Sequence, residues 1–185
     1  DRVRSFLAIE LPVEVKDYLA RLIKQLQNQG FKDLRWLEPR SIHLTLKFLG
    51  EIKPQLIETI IHKLRDCSFG ISNLNLVTDK LGVFPNLRRP RVLYVGLQGD
   101  LSKLNELKYL IDYTCNQLGF EKEIRKFTPH LTLARIGYKT SLKQLSLISG
   151  YDLSVKPISM TVDNVILMKS VFTSYHFKYK RIANF

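Results

Sequence analysis

The sequence predicts an α+β fold with two pseudo-two-fold lobes, each an antiparallel-rich sheet with helices on its outside, around a central cleft. Several short segments alternate apolar and polar residues, which is typical of strands, and others repeat apolar residues at helical spacing. The tetrapeptide His-Leu-Thr-Leu occurs twice, at His43–Leu46 and His130–Leu133. This repeat indicates that the second half of the chain resembles the first.

The first half predicts a strand, a helix and a second strand region. Segment 4–12 (RSFLAIELP) places Phe6 and Ala8 on one face of a strand and Leu7 and Ile9 on the other. A helix follows from Pro12 and ends at Gly30, because apolar residues recur at helical spacing between them. These residues are Val15, Leu19, Leu22 and Leu26. LRWLEP and SIHLTLKFLG are then predicted as strands divided by Pro39.

The middle of the chain predicts a second helix and two further strand regions. Pro54 opens the helix, and the side chains expected to face inward are Leu56, Ile60 and Leu64. Residues 69–86 indicate strand and loop, and RVLYVGLQ after Pro90 is rich in the β-branched and aromatic residues that favour a strand.

The second half of the chain resembles the first in its predicted helices and strands. Apolar residues from Leu104 to Leu118 predict a long helix that ends at Gly119. The second HLTL strand follows, then a shorter helix around Ser141 to Ile148 and two strands near 159–169 and 174–183. With no linker between the halves, we expect residues 1–185 to form one domain whose two lobes each contribute one copy of the motif.

The charge balance favours a polyanionic partner. The chain has 29 Lys and Arg against 17 Asp and Glu, a formal net charge of +12. Such a charge raises the local concentration of nucleic acids and nucleotides. Solubility explains the same charge equally well, so this observation supports a phosphate-containing ligand without establishing it.

The remaining composition predicts a cytoplasmic protein with no membrane partner. The two cysteines show no spacing typical of a disulfide framework, and no apolar run approaches the length of a membrane span or a signal peptide. Nothing in the pattern indicates oligomerisation, so we expect a monomer.

The two motifs carry the chemistry. Within each copy, strand alternation places His and Thr on one face and both leucines on the other. Two such strands facing a shared ligand would offer the pairs His43 and Thr45, and His130 and Thr132. Imidazole acts as acid or base near neutral pH, and hydroxyls donate to phosphate oxygens. This set suits hydrolysis of a cyclic phosphodiester without a cofactor.

Two other interpretations of the motifs compete with this one. A catalytic metal would require carboxylates or thiolates near the histidines, and neither HLTLKFLG nor HLTLARIG supplies them. Both histidines could instead be ordinary polar residues of two similar strands, but the repeat with its matched approach argues against this. His62 and His176 lack a Thr at the matching offset, so neither is assigned a role.

Cations and aromatic residues near the motifs are candidates for substrate binding. Lys47 continues the alternation of His43 and Thr45, which predicts that it points into the cleft or lies at its rim. Arg135 falls on the opposite face by alternation unless the strand bends. The aromatic side chains that could stack on a base are Phe48, Phe84 and Tyr94.

These residues resemble the double HxTx signature of the 2H phosphoesterase superfamily. RSFLAIELP, RWLEPRSIHLTLKFLGEI, GVFPN, RVLYVGL and FTPHLTLARIG are similar to segments of the RNA 2′,3′-cyclic phosphodiesterases, first described as 2′-5′ RNA ligases. The resemblance runs from about Arg4 to the C-terminus. It implies a bilobal α+β fold with both motifs on facing strands.

The resemblance further implies opening of RNA 2′,3′-cyclic phosphates to 2′-phosphomonoesters with no metal and no cofactor. By position, His43 would donate the proton to the 3′-oxygen and His130 would accept one from water. Thr45 and Thr132 would hold phosphate oxygens, and Arg135 would bind the phosphate. The partners are then RNA ends or cyclic nucleotides. A 2′-5′ ligase using the same site, and a non-catalytic module that binds RNA ends or nucleotides, are the alternatives.

Overall fold

The computed structural model describes residues 2–67, 72–152, 154–172 and 177–185. Four helices are α1 (Val13–Asn28), α2 (Pro54–Asp66), α3 (Leu101–Gln117) and α4 (Leu142–Gly150). The strands are β1 (Val3–Glu10), β2 (Arg35–Trp36), β3 (His43–Ile52), β4 (Leu74–Phe84), β5 (Val92–Gly99), β6 (His130–Arg135), β7 (Ser159–Val162), β8 (Ile166–Phe172) and β9 (Phe177–Asn184).

The strands form two antiparallel sheets. The first has the order β3-β1-β8-β9, and the second has the order β2-β6-β5-β4-β7. The motif strands occupy matching places, since β3 neighbours β1 and β6 neighbours β5. The predicted α+β class with two antiparallel sheets is confirmed. The halves are interlaced, however, because β4 pairs with β5 of the second half and β8 pairs with β1 of the first.

The two faces of strand β1 are those that its sequence predicted. Leu7 and Ile9 are buried in the main core, whereas Phe6 and Ala8 pack with Ile166 in a smaller apolar cluster on the other face. One face of β1 is therefore covered by the main core and the other by the smaller cluster, while β3 and β8 pair with its two edges. The strand therefore needs apolar residues at nearly every position.

The helices follow the predicted apolar spacing with one exception. The four predicted core residues of α1 are buried, and so are Ile60 and Leu64 of α2. The prediction for Leu56 is wrong, because this side chain is 44% exposed. It lies in the first turn of α2, where the neighbouring Ile57 packs against the core instead. Ser141, predicted as the start of α4, is its N-cap and accepts a hydrogen bond from the backbone N–H of Gln144.

The predicted single strand near 159–169 is two strands. β7 pairs with β4 in the second sheet, and β8 pairs with β1 in the first. The chain crosses between sheets at residues 163–165, and strand alternation does not reveal which sheet a segment joins. Within the described ranges, no helix is long and apolar enough to cross a bilayer.

Lys47 does not reach the cleft, so its predicted place in the site is wrong. The pairing of β1 with β3 shifts by one residue between Thr45 and Lys47, as in a β-bulge, and both Leu46 and Lys47 are buried. The Lys47 ammonium instead donates to Asp112 Oδ1 of α3 at 2.8 Å and to the Glu121 carbonyl at 3.0 Å.

Removing this buried ammonium should destabilise the fold. Lys47→Met keeps the apolar stem but leaves the Glu121 carbonyl without its donor and Asp112 with Lys108 as its remaining cation. We expect the free energy of unfolding to fall by about 2 kcal/mol, measured by urea denaturation. The control is Lys63→Met on the exposed side of α2, which should change it by less than about 0.5 kcal/mol. Equal stability of the two variants would contradict this account.

Candidate active site

The leucines of the two motifs orient the histidines and threonines. Leu44 and Leu46 of β3 and Leu131 and Leu133 of β6 are at most 2% exposed. Since side chains alternate along a strand, their burial turns His43, Thr45, His130 and Thr132 to the opposite faces, where all four are partly accessible. Strands β3 and β6 lie against one another, so the two polar faces meet.

A cavity of about 290 Å³ opens between the two sheets at this point. Strand β3 contributes His43, Thr45 and Phe48 to its wall, and β6 contributes Thr132 and Arg135. The remaining wall comes from elsewhere in the chain and consists of Arg4, Phe6, Leu37, Ser41, Ile42, Ser170 and Tyr179. His130 lies two residues before Thr132 on the same face of β6.

A matching bulge in each motif strand determines which residue comes next on the cavity side. In β6, the pairing with β5 shifts between Thr132 and Ala134, and both Leu133 and Ala134 are buried. Arg135 therefore joins the cavity face, which resolves the doubt left by simple alternation. In β3 the shift at Lys47 does the same for Phe48, which is 60% exposed. Phe48 and Arg135 occupy equivalent positions of HLTLKF and HLTLAR.

The environment of His130 prepares one ring nitrogen to accept a proton. Its Nδ1 lies 2.7 Å from the Thr128 carbonyl. A carbonyl only accepts hydrogen bonds, so Nδ1 carries the proton and the neutral ring keeps a free lone pair on Nε2. Burial lowers the pKa of His130, and the hydrogen bond to Thr128 opposes that shift. The ring is thus neutral at pH 7, as a general base must be.

Two aromatic rings hold His130 in place. Phe84 and Tyr94 stack on each other at 4.2 Å, and both meet the imidazole edge-on, at 4.8 and 5.3 Å between centroids. Gly82 makes this possible, because a Cβ there would lie 2.4 Å from the Tyr94 ring. Tyr94 and Phe84 therefore pack against a motif histidine, and neither is among the residues that line the cavity.

Aromatic rings also pack against His43, but its charge environment differs from that of His130. Phe6 and Tyr179 meet its ring edge-on at 6.0 and 5.6 Å. Burial, and then the charge of Lys16, lower the pKa of His43 to about 4. A hydrogen bond to the Ser41 backbone and the carboxylate of Glu10 raise it, but by less. In the free protein His43 is therefore neutral at pH 7.

The cavity includes functional candidates that the sequence did not indicate. Ser170 has a buried hydroxyl with no hydrogen-bond partner among the described residues. Phe6 comes from β1, which pairs with β3, and Tyr179 comes from β9, which is separated from β3 by β1 and β8. The sequence placed Phe6 on one face of β1 with Ala8 but gave it no functional role, and nothing in the sequence linked Ser170 or Tyr179 to the motifs.

The other histidines and possible metal ligands lie apart from the site. His62 is exposed on α2, with its Nδ1 3.5 Å from Asp66, and His176 falls outside the described residues. In the parts of the chain that the structure describes, no three His, Cys, Asp or Glu residues are grouped as metal ligands.

Comparison with known proteins identifies the family. The model of the LigT-like phosphoesterases matches residues 9–94 and 95–175, so each half of the chain matches it and carries one HxTx motif. The chain belongs to the LigT-like phosphoesterase family. This family lies within the 2H phosphoesterase superfamily, as the sequence resemblance predicted.

Curated relatives of this LigT-like phosphoesterase cover most of its length. The following three are all named RNA 2′,3′-cyclic phosphodiesterase. The Methanothermobacter thermautotrophicus protein is 30% identical over 93% of this chain and 92% of its own. The Methanocaldococcus jannaschii protein is 32% identical over 77% of each chain. The Thermotoga maritima protein is 31% identical over 92% of this chain and 88% of its own.

Solved structures share the fold at lower identity. E. coli LigT complexed with 3′-AMP matches with a TM-score of 0.77 and 22% identity, covering 100% of this chain and 98% of that one. A Thermus thermophilus protein matches with a TM-score of 0.73 and 22% identity, covering 98% and 96% of the two chains. At this identity the likeness establishes the arrangement of the sheets and helices.

The charge environment of His43 predicts that an anion in the cavity changes its protonation. The negative charge of 2′-AMP beside the ring favours imidazolium, so the pKa of His43 should rise from about 4 by about 1 to 3 on binding. NMR titration of the imidazole signals with and without 2′-AMP measures this directly, and exposed His62 is the internal control. An unchanged pKa in the saturated complex would contradict the placement of the phosphate beside His43.

Proposed function

We propose that this LigT-like phosphoesterase hydrolyses RNA 2′,3′-cyclic phosphate ends to 2′-phosphomonoesters by acid–base catalysis with two histidines. One observation carries the proposal: His43 and Thr45 of one sheet share a cavity with Thr132 and Arg135 of the other, beside His130. The names of the curated relatives support the same substrate class. We propose further that residues 1–185 act as one domain with one motif in each lobe.

The reaction begins with water at phosphorus. His130 Nε2 takes a proton from the water as its oxygen bonds to phosphorus, and the Nδ1–H bond to the Thr128 carbonyl stabilises the imidazolium that forms. The bond between phosphorus and the 3′-oxygen breaks on the opposite side, and His43 gives that oxygen its proton. The product carries the phosphate on the 2′-oxygen and a free 3′-hydroxyl.

The charge on the non-bridging oxygens is stabilised by groups from both sheets. The hydroxyls of Thr45 and Thr132 donate to these oxygens, and the Arg135 guanidinium adds charge-assisted hydrogen bonds. Phe48, exposed at the equivalent position of β3, offers an apolar ring instead of a second cation. The two motif strands therefore contribute differently to the cavity: β6 supplies the Arg135 guanidinium and β3 supplies an aromatic surface for the nucleoside, while Arg4 of β1 also lines the cavity.

His43 requires the substrate in order to act as the acid. In the free protein its pKa of about 4 leaves little imidazolium at pH 7. The phosphodiester charge raises that pKa, so the protonated fraction of His43 increases where the anion is bound. The cytoplasmic location and the monomeric state stay predictions from the sequence.

Loss of either motif histidine should abolish most of the activity. His43→Ala and His130→Ala should each lower kcat by about 10²- to 10⁴-fold, and the double variant should lose less than the product of the two. The matched control is His62→Ala, which removes an exposed histidine of α2 and should leave kcat unchanged. Near-normal turnover by either motif variant, with folding verified by circular dichroism, would overturn the catalytic assignment.

The product identifies which oxygen leaves. With a 2′,3′-cyclic oligonucleotide in the presence of EDTA, phosphorus NMR should show a 2′-phosphate almost exclusively. The reason is that His43 and His130 are fixed on different sheets, and exchanging their faces would require a register slip that exposes the buried leucines. A predominant 3′-phosphate would mean that the roles of acid and base assigned to His43 and His130 are reversed. Activity that EDTA abolishes and Zn²⁺ or Mg²⁺ restores would indicate a metal enzyme, and binding without turnover would indicate an RNA-binding module.

A further inference from the structure

We infer that Arg35, on edge strand β2, forms a second phosphate site next to Arg135 and binds the phosphate one nucleotide upstream of the RNA end. This inference rests on the proposed function, because it extends the same cavity along the RNA strand. It assigns a role to a residue that belongs to neither HxTx motif and that does not line the cavity.

The pairing of β2 with β6 places the two arginines side by side. Arg35 is the direct antiparallel partner of Arg135, and Trp36 is the partner of Ala134. Directly opposed residues point to the same face, with Cβ atoms about 5 Å apart. Arg135 lines the cavity, so Arg35 lies on the cavity side, one strand further out.

A second observation also places Arg35 on the cavity side of β2. Leu37, two residues after Arg35, also lines the cavity, and its backbone N–H continues the ladder by donating to the Leu133 carbonyl at 2.9 Å. Residues two apart on an extended strand share a face. The backbone here is fixed, because the Trp36 indole N–H donates to the Phe31 carbonyl at 3.1 Å.

The pair is electrostatically unfavourable unless an anion lies beside it. Like charges directly opposite each other destabilise a sheet. Among the described residues, neither Arg35 nor Arg135 has an ion pair, although the carboxylates of Asp33 and Glu38 flank Arg35 in sequence. Both side chains are exposed. A polyanion that bridges the two guanidiniums would remove the repulsion and gain charge-assisted hydrogen bonds.

A single RNA strand is the ligand that fits this arrangement. Its terminal cyclic phosphate would bind at Arg135 between the two motifs, and the next phosphate of the same strand would reach Arg35. A mononucleotide has no second phosphate, so it would gain nothing from Arg35. The edge position of β2 in its sheet leaves the RNA free to continue into solvent.

The test compares Arg35→Gln with Arg65→Gln, which removes the same charge from an exposed position of α2. The probes are a fluorescein-labelled hexaribonucleotide ending in a 2′-phosphate, measured by anisotropy, and 2′-AMP, measured by calorimetry. We expect Arg35→Gln to weaken hexanucleotide binding about 5-fold at about 50 mM salt and to reduce the slope of log affinity against log salt by about 0.7. Binding of 2′-AMP should change less than twofold, and Arg65→Gln should change both by less than twofold.

Two results would overturn the inference. If Arg35→Gln weakened the binding of the hexanucleotide and of 2′-AMP equally, Arg35 would act at the terminal phosphate or have a structural role. If hexanucleotide binding were unchanged, Arg35 would have no role in binding RNA. Thermal melting should show Arg35→Gln at least as stable as the unmodified protein, since the substitution removes a like-charge pair. Because binding is measured on a ligand that is not turned over, the result for Arg35 stands even if the protein fails to hydrolyse cyclic phosphates.

Discussion

The burial of four leucines is the constraint on which the site depends. Leu44, Leu46, Leu131 and Leu133 are almost wholly inaccessible, and together they contribute about 6 to 12 kcal/mol at about 1.5 to 3 kcal/mol each. That sum is comparable with the whole free energy of unfolding of a typical domain, about 5 to 15 kcal/mol. A one-residue slip of either strand would expose its leucines, so the core holds His43, Thr45 and Thr132 at the cavity, with His130 on the same face of β6 as Thr132.

The bulges that follow the motifs extend this constraint to the specificity of the site. Each bulge buries two consecutive residues and returns the next one to the cavity, which gives Phe48 on one strand and Arg135 on the other. Lys47 and Ala134 are the residues turned inward. Alanine needs no partner there, whereas the Lys47 ammonium needs Asp112 and the Glu121 carbonyl. The same interaction ties β3 to α3 and to the segment that leads into the second motif.

The aromatic environment of the two motif histidines explains why their pKa values differ from that of free imidazole. Rings from four different strands pack edge-on against them, and the loss of water lowers the pKa of both. In the proposed mechanism this suits His130 as the base, because it stays neutral and the Thr128 carbonyl fixes its tautomer. His43, proposed as the acid, would depend on the charge that the substrate brings, so its protonation would be coupled to binding.

The sequence by itself determined the α+β class, the helix faces of α1, the pairing of His with Thr on each motif strand and the family. These features depend on local periodicity or on a repeat of four residues, and both can be read without knowing the partners of a strand. Only the tertiary structure decided that Lys47 leaves the cavity and Arg135 enters it, because a bulge depends on the neighbouring strand. It also decided that 159–169 divides between two sheets, that Ser170 and Tyr179 reach the cavity, and that Arg35 lies opposite Arg135. Those positions follow from pairing between segments far apart in the chain, for which alternation within one strand carries no information.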